Sequence, residues 1–198
     1  MYRPSPFREL IVRVMWVTLL SPAVWAGSQS APVDVGDAAP PFHANTHEGQ
    51  LWQSKEHVGN GKYLVLYFYP AAMTGGCTKQ ACTYRDHVTG TDYPDIEVVG
   101  VSADPVSSLR VFTKAHNLNF ALLSDVNGII AKRFGVPIKK GGEITRTIDG
   151  KDVVLRRPYT FARWTFIIDK NGKVVYKDMS VKTDQDTRKV LEFVRKAG

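Results

Sequence analysis

KYLVLYFYPAAMTGGCTKQAC, residues 62–82, contains both cysteines of the 198-residue chain, Cys77 and Cys82, directly downstream of a run of aromatic and aliphatic residues. A near-continuous apolar run of this length, rich in aromatic residues, reads as a strand buried on both faces at the centre of a sheet. Pro70 lacks the N–H needed to extend the ladder and ends the strand. The residues that follow, to about Thr89, are compatible with a helix. Cys77 is thereby placed at a helix N-terminus and at the carboxyl end of a central strand, where open α/β sheets hold their ligands.

Outward from this unit, DIEVVGVS (95–102) reads as a second buried strand, and Pro105 opens a helix whose Val106, Leu109, Phe112 and His116 recur every three or four positions. Phe120 to Leu123 forms a short strand, and Ser124-Asp125 introduces a helix over GIIAKRFG. Three hairpins are expected, turning at Glu48-Gly49, Asp149-Gly150 and Asn171-Gly172. Thr183 with Asp186 three residues on has the form of a capping box, and Val190, Leu191 and Val194 supply the inner face of a closing helix. Strands and helices alternate in the middle and hairpins flank both ends. The pattern predicts an α/β domain with a mixed central sheet flanked by helices, parallel at its centre and antiparallel at an edge.

Residues 1–26 differ from the rest. Arg3, Arg8 and Arg13 precede an apolar stretch from Val14 to Trp25 that meets Ala23 and Ala26, the basic, apolar, small order of a secretory signal. Pro22 and the polar residues after Gly27 leave it short of the ~20 apolar residues of a spanning helix. Cleavage after Ala26 is expected, with an uncleaved N-terminal anchor as the alternative. The mature chain is then a single domain over 27–198, exported to the periplasm, and its membrane contact is transient, through the signal segment alone.

The net charge of +7 becomes +5 once three Arg and one Glu are removed, and the basic residues are scattered apart from Lys139-Lys140 and Arg156-Arg157. A nucleic-acid site requires a basic patch or stripe, so no nucleic-acid partner is expected. A chain this long, with 43% hydrophobic residues, builds a core without needing a disulfide. His43 and His47 have the i, i+4 spacing of a metal pair, but Pro40-Pro41 and Gly49 oppose a helix there, and both read as surface residues. His116 reads as a core or boundary residue. No metal or bound cofactor is called for.

A cysteine at a helix N-terminus meets unpaired N–H groups and the positive end of the helix dipole, both of which favour thiolate over thiol. Gly75 and Gly76 allow close backbone approach to a small substrate, and Thr74 offers a hydroxyl that can donate to the sulfur or to an attacked oxygen. Five residues of helix amount to ~500° of rotation and ~7.5 Å of rise, so Cys77 and Cys82 point ~140° apart. A disulfide needs Cα atoms within ~7 Å and must therefore unwind at least a turn. By count alone, two cysteines in an exported protein fit a structural disulfide as well as a catalytic pair.

The local sequence resembles the peroxiredoxins, specifically the Q type, also called bacterioferritin comigratory proteins. Pro70, Thr74 and Cys77 match the family's Pro-x-x-x-Thr-x-x-Cys signature, Cys82 stands where the Q type carries a resolving cysteine, and Arg163 in ARWTFIIDKNGKV matches the arginine before a Thr-Phe strand. The similarity runs on through LYFYP, VVGVSAD and LLSDVNGIIAKRFGV, covering most of 33–198. It implies a thioredoxin-like fold and reduction of hydrogen peroxide and organic hydroperoxides. Cys77 would be the peroxidatic thiol and Cys82 the resolving one, with an intramolecular disulfide recycled by a thioredoxin-like or other dithiol reductant. Q-type relatives are often monomeric, so a monomer is expected.

Four departures stand out. Gly75 and Gln80 replace the Pro and Glu usual in relatives, and Gln removes a charge that could orient basic neighbours. Trp164 adds an aromatic residue beside the site. The segment between Val136 and Arg163 is longer, with the Asp149-Gly150 hairpin as the insertion. Two other activities fit an exported two-cysteine chain: a thioredoxin-fold copper metallochaperone, which prefers Cys-x-x-x-Cys, and a thiol-disulfide oxidoreductase, which prefers Cys-x-x-Cys. Neither spacing is present.

Overall fold

The computed structural model describes residues 32–88 and 93–197; the signal segment assigned to 1–26 lies outside them. Nine strands are described: β1 (His43–Thr46), β2 (Leu51–Gln53), β3 (Tyr63–Phe68), β4 (Ile96–Ser102), β5 (Ala121–Ser124), β6 (Ile138–Ile148), β7 (Lys151–Phe161), β8 (Trp164–Ile168) and β9 (Val174–Asp178). Four α-helices are found among the described residues: α1 (Gly75–His87), α2 (Val106–His116), α3 (Ile129–Arg133) and α4 (Asp186–Ala197).

Seven strands form one sheet in the order β2-β1-β5-β4-β3-β8-β9. Strands β5, β4 and β3 run parallel, while β1 and β2 on one side and β8 and β9 on the other are antiparallel. Both edges are therefore antiparallel, where the sequence pattern indicated one. The reason is that the hairpins at Glu48-Gly49 and Asn171-Gly172 attach to opposite sides of the parallel core.

All six residues of β3 are buried, and the period-2 alternation of a strand divides them between two cores. Leu64, Leu66 and Phe68 join Val99, Val101, Phe134 and Phe166 on the face covered by α3. Tyr63, Val65, Tyr67 and Tyr69 join Ala81 and Tyr84 of α1, Leu109 and Phe112 of α2, and Val190 of α4 on the other face. Gly100 in β4 pairs with Tyr67, and a Cβ there would meet the Tyr67 hydroxyl at 2.7 Å. The glycine makes room for the ring that floors the cysteine segment.

Strands β6 and β7 form a separate two-stranded ribbon running from Ile138 to Phe161, longer than the hairpin signal around Asp149-Gly150. Trp164 pairs with Phe68 and packs against the core on the α3 face, 6.1 Å from Phe166. It does not cover the cysteine segment, because alternation along β8 sends its neighbour Thr165 to the opposite face. The capping box is replaced by another arrangement. The Asp186 carboxylate, rather than reaching back toward Thr183, is buried and accepts bonds from Gln80, Tyr84 and Thr165.

Candidate active site

Cys77 is the third residue of α1, which starts at Gly75 with Thr74 as its N-cap. The first N–H groups of a helix have no intrahelical acceptor, so the Cys77 backbone N–H is available at the site. The side chain is 1% exposed and packs with Tyr67, Tyr69 and Ala72. A Cβ at Gly75 would meet nothing within 4 Å, and one at Gly76 would touch Arg163 Nη2 at 3.6 Å and Thr183 at 3.7 Å. The two glycines thus leave open the space beside the helix start.

Arg163 lies at the end of the ribbon, just before β8, and reaches across the sheet to the thiol. Its Nη2 donates to Cys77 Sγ at 3.2 Å and its Nη1 to Gln80 Oε1 at 2.6 Å. A guanidinium at this distance stabilises negative charge on sulfur and on an oxygen attached to it. The resemblance implied that Cys77 and Arg163 share one site, and the fold brings them together across 86 residues.

Pro70 ends β3; the last ladder bond is from the Tyr69 N–H to the Val101 carbonyl at 3.1 Å. The Thr74 hydroxyl donates to the Ala71 carbonyl at 2.9 Å. This corrects the expectation that it donates to the sulfur or the attacked oxygen: its one proton is committed to the loop, which leaves its lone pairs to accept. Met73, between them, has φ 61°, a left-handed conformation uncommon for a side chain of its kind. Two bonds hold the loop there. Asp104 Oδ2 accepts the Ala72 N–H at 2.8 Å, and the Met73 carbonyl accepts Arg146 Nε at 2.8 Å. Asp104 is itself paired with Arg157 at 2.7 Å, both side chains being buried. The ribbon therefore grips the cysteine loop at two adjacent residues, a role its sequence did not reveal because Arg146 and Arg157 sit in ordinary alternating patterns.

Gln80 is fully buried, with Nε2 2.6 Å from Asp186 Oδ2. The Tyr84 hydroxyl at 2.6 Å and the Thr165 hydroxyl at 3.0 Å donate to the same oxygen. Burial pushes the Asp186 carboxyl above its ordinary range, and these three donors oppose the shift. Burial and then the Asp186 charge hold the Tyr84 phenol well above its usual value; burial and then the Cys77 charge do the same for Tyr67. Both are neutral hydroxyls at ordinary pH. Asp186 was missed because an acidic residue at the start of an amphipathic helix looks like a cap. Gln80 was read as a lost charge because its partner lies 106 residues away.

Both thiols are free, Cys77 buried and Cys82 half-buried against the core. They lie on one continuous helix, so the two sulfurs cannot bond in this conformation. His43 lies in a strand and His47 in the turn after it, so the i, i+4 spacing does not set them on a helix face. His116 packs edge-on against Phe112 at 5.4 Å, a boundary residue of α2.

Residues 35–177 match the AhpC/TSA family. The chain is 35% identical over 169 residues to the chloroplastic peroxiredoxin Q of Sedum lineare, covering 83% of this chain and 81% of that protein. It is 32% identical over 164 residues to peroxiredoxin Bcp of Escherichia coli (strain K12), covering 83% and 97%. Among solved structures, peroxidoxin BcpB from Mycobacterium tuberculosis superposes with a TM-score of 0.66 at 32% identity, over 82% of this chain and 97% of that one. A peroxiredoxin Q from Xanthomonas campestris gives a TM-score of 0.64 at 25% identity, over 82% and 95%.

Proposed function

The chain belongs to the AhpC/TSA family as a Q-type peroxiredoxin with a thioredoxin-like fold, a thiol-dependent hydroperoxide reductase, and we propose that it works through a Cys77 sulfenic acid resolved by Cys82. The observation that carries this reading is the Arg163 Nη2 to Cys77 Sγ contact of 3.2 Å at the start of α1.

In the first step the Cys77 thiolate attacks the terminal oxygen of the hydroperoxide. An S–O bond forms, the O–O bond breaks, and the alkoxide or hydroxide leaves and takes up a proton. The sulfur loses two electrons and the peroxide gains them. Arg163 and the Cys77 backbone N–H donate to the oxygens as charge shifts between them, each well-placed donor contributing ~3 kcal/mol. Thr74, its proton held by Ala71, accepts the hydroperoxide O–H and aligns the substrate. Pro70 shields the loop behind it.

In the second step the Cys82 thiol attacks the Cys77 sulfenic acid, giving a disulfide and water. A dithiol reductant, of the thioredoxin type, then restores both thiols by exchange. We take hydrogen peroxide and organic hydroperoxides as the substrates, approaching beside Gly75, where a Cβ would meet nothing within 4 Å. The copper-chaperone and oxidoreductase alternatives are not favoured by these relatives.

Purified mature protein should turn over hydrogen peroxide with dithiothreitol. Cys77→Ser should abolish that turnover, and retention of it would overturn the reading. Cys82→Ser should consume about one equivalent of peroxide and then stall or depend on added thiol.

The order basic, apolar, small in residues 1–26 supports export with cleavage after Ala26, which leaves 27–198 as a single periplasmic domain. N-terminal sequencing of the exported protein tests this, and an intact Met1 would refute it. We take the mature protein to be a monomer, to be checked by light scattering on the reduced form.

A further inference from the structure

We propose that Asp186 is a positioning residue for the peroxidatic centre, holding Arg163 against Cys77 through the Gln80 amide. The proposal rests on the reading of Cys77 as the peroxidatic thiol.

The chain of contacts is continuous. Cys77 Sγ accepts Arg163 Nη2 at 3.2 Å, Arg163 Nη1 donates to Gln80 Oε1 at 2.6 Å, and Gln80 Nε2 donates to Asp186 Oδ2 at 2.6 Å. Gln80 is 0% and Asp186 1% exposed, so water does not compete for these groups. Asp186 makes no ion pair among the described residues, and the nearest cation along its hydrogen bonds is Arg163, one amide away. A buried carboxylate without a direct cation is costly unless its field is used by one close by.

The donor and acceptor inventory makes residues 80 and 186 a matched pair. A guanidinium only donates, so the carbonyl of Gln80 must face Arg163, and its amino group is then aimed at Asp186. An ionised carboxylate only accepts, so it fits that amino group and polarises the amide, strengthening the carbonyl as an acceptor for Arg163. Glutamate at 80 beside Asp186 would set two carboxylates 2.6 Å apart. Asp186 on α4 thus supplies a negative charge one amide away from Arg163, behind the neutral Gln80 of α1. With one Nη anchored on Gln80, the rigid fork of the guanidinium keeps the other aimed at the sulfur.

The pairing also explains why three donors from two other elements converge on Oδ2. Tyr84 from α1 and Thr165 from β8 fix the carboxylate so that it addresses Gln80. A role confined to tying α4 to α1 and β8 would need the Tyr84 and Thr165 bonds but not the orientation of Gln80 toward Arg163.

The test is the single-turnover rate of Cys77 oxidation by hydrogen peroxide, followed by quenched-flow titration of free thiol, with melting temperature measured in parallel. Asp186→Asn should slow the step about 10-fold. Adding Gln80→Glu to Asp186→Asn should restore it to within about threefold of wild type, since Arg163 then meets a carboxylate directly and the side chain introduced at position 186 supplies the amide. A structural clamp would not be rescued in this way, because Gln80→Glu restores neither the Tyr84 nor the Thr165 bond to a carboxylate. If Asp186→Asn leaves the rate within twofold of wild type, or if the double variant stays more than 10-fold slow, the proposal is overturned. If the single variant does not fold, the double variant against wild type decides on the same thresholds. Absence of Cys77-dependent oxidation in the wild type would instead overturn the peroxidase reading itself.

Discussion

Arg146 Nε donates to the carbonyl oxygen of Met73 at 2.8 Å, across 73 residues of sequence. The bond joins the β6–β7 ribbon to the one residue of the cysteine loop with a left-handed backbone, φ 61° at Met73. Such a conformation costs a non-glycine residue roughly 1–2 kcal/mol and persists only where its surroundings impose it. The next residue back is held from the same ribbon, through Arg157, Asp104 and the Ala72 N–H. Arg146→Ala should therefore let Thr74 and Cys77 drift, lowering kcat/KM for hydrogen peroxide by about 10-fold. Stability should fall by only about 1–2 kcal/mol, the worth of a partly exposed charged hydrogen bond. Steady-state peroxidase kinetics and urea denaturation of the variant check both figures, and unchanged kinetics would show that the ribbon does not govern the loop.

Arg163 uses both ends of its fork, 3.2 Å to Cys77 Sγ and 2.6 Å to Gln80 Oε1. Lysine has one nitrogen to place and cannot make both bonds with the same geometry. Arg163→Lys should reduce kcat/KM by about 100-fold, the usual loss when a transition-state donor is removed, with the melting temperature moved far less. The rate of Cys77 alkylation by iodoacetamide at pH 7 should fall along with it.

Formation of the Cys77–Cys82 disulfide requires α1 to unwind, since both residues lie within Gly75–His87. Unwinding must also break the bonds from Gln80 and Tyr84 to Asp186. Hydrogen exchange on the peroxide-oxidised protein should then show lost protection over residues 78–88, with α2 and the central strands unchanged. Cys82→Ser treated in the same way should keep its protection. An oxidised wild type with α1 fully protected would exclude the intramolecular disulfide.

His47 and His116 are both held below the ordinary histidine range, chiefly by burial, with Arg110 adding to the effect at His47 and Arg85 at His116. At His47 the Glu48 charge acts the other way. The His47 Nδ1 also faces the Leu122 N–H at 3.4 Å, which needs it unprotonated. A histidine whose folded-state value is depressed contributes stability that is present above the unfolded value of about 6.5 and is lost as pH falls through the folded value. Melting temperature should therefore decline as pH is lowered from about 7 toward 5. The double variant His47→Asn/His116→Gln should show a shallower decline over that window, by differential scanning calorimetry. An identical slope would place the pH sensitivity elsewhere.

Much of the fold was legible because its signals are local. The near-continuous apolar run and aromatic content of residues 62–69, the two Gly-containing turns that close the sheet edges and the periodic apolar positions of α2 and α4 each depend on a few neighbouring residues. The start of α1 at Cys77 and the helical separation of Cys77 from Cys82 follow in the same way, from Pro70, the glycines and the rise and turn of a helix. These determined by themselves that Cys77 would meet a helix N-terminus at the end of a buried strand. What surrounds the thiols was decided only by tertiary structure. The fold brings Arg163 to Cys77, Asp186 to Gln80 and Arg146 to Met73 across 86, 106 and 73 residues, through the antiparallel return of β8 beside β3, the docking of α4 on α1 and the reach of the ribbon. A hydrogen bond is satisfied by whatever donor arrives within about 3 Å, and no periodicity in the chain records which one that is. For that reason Gln80 looked like a missing charge in sequence, and only the packed structure shows the carboxylate that stands behind it.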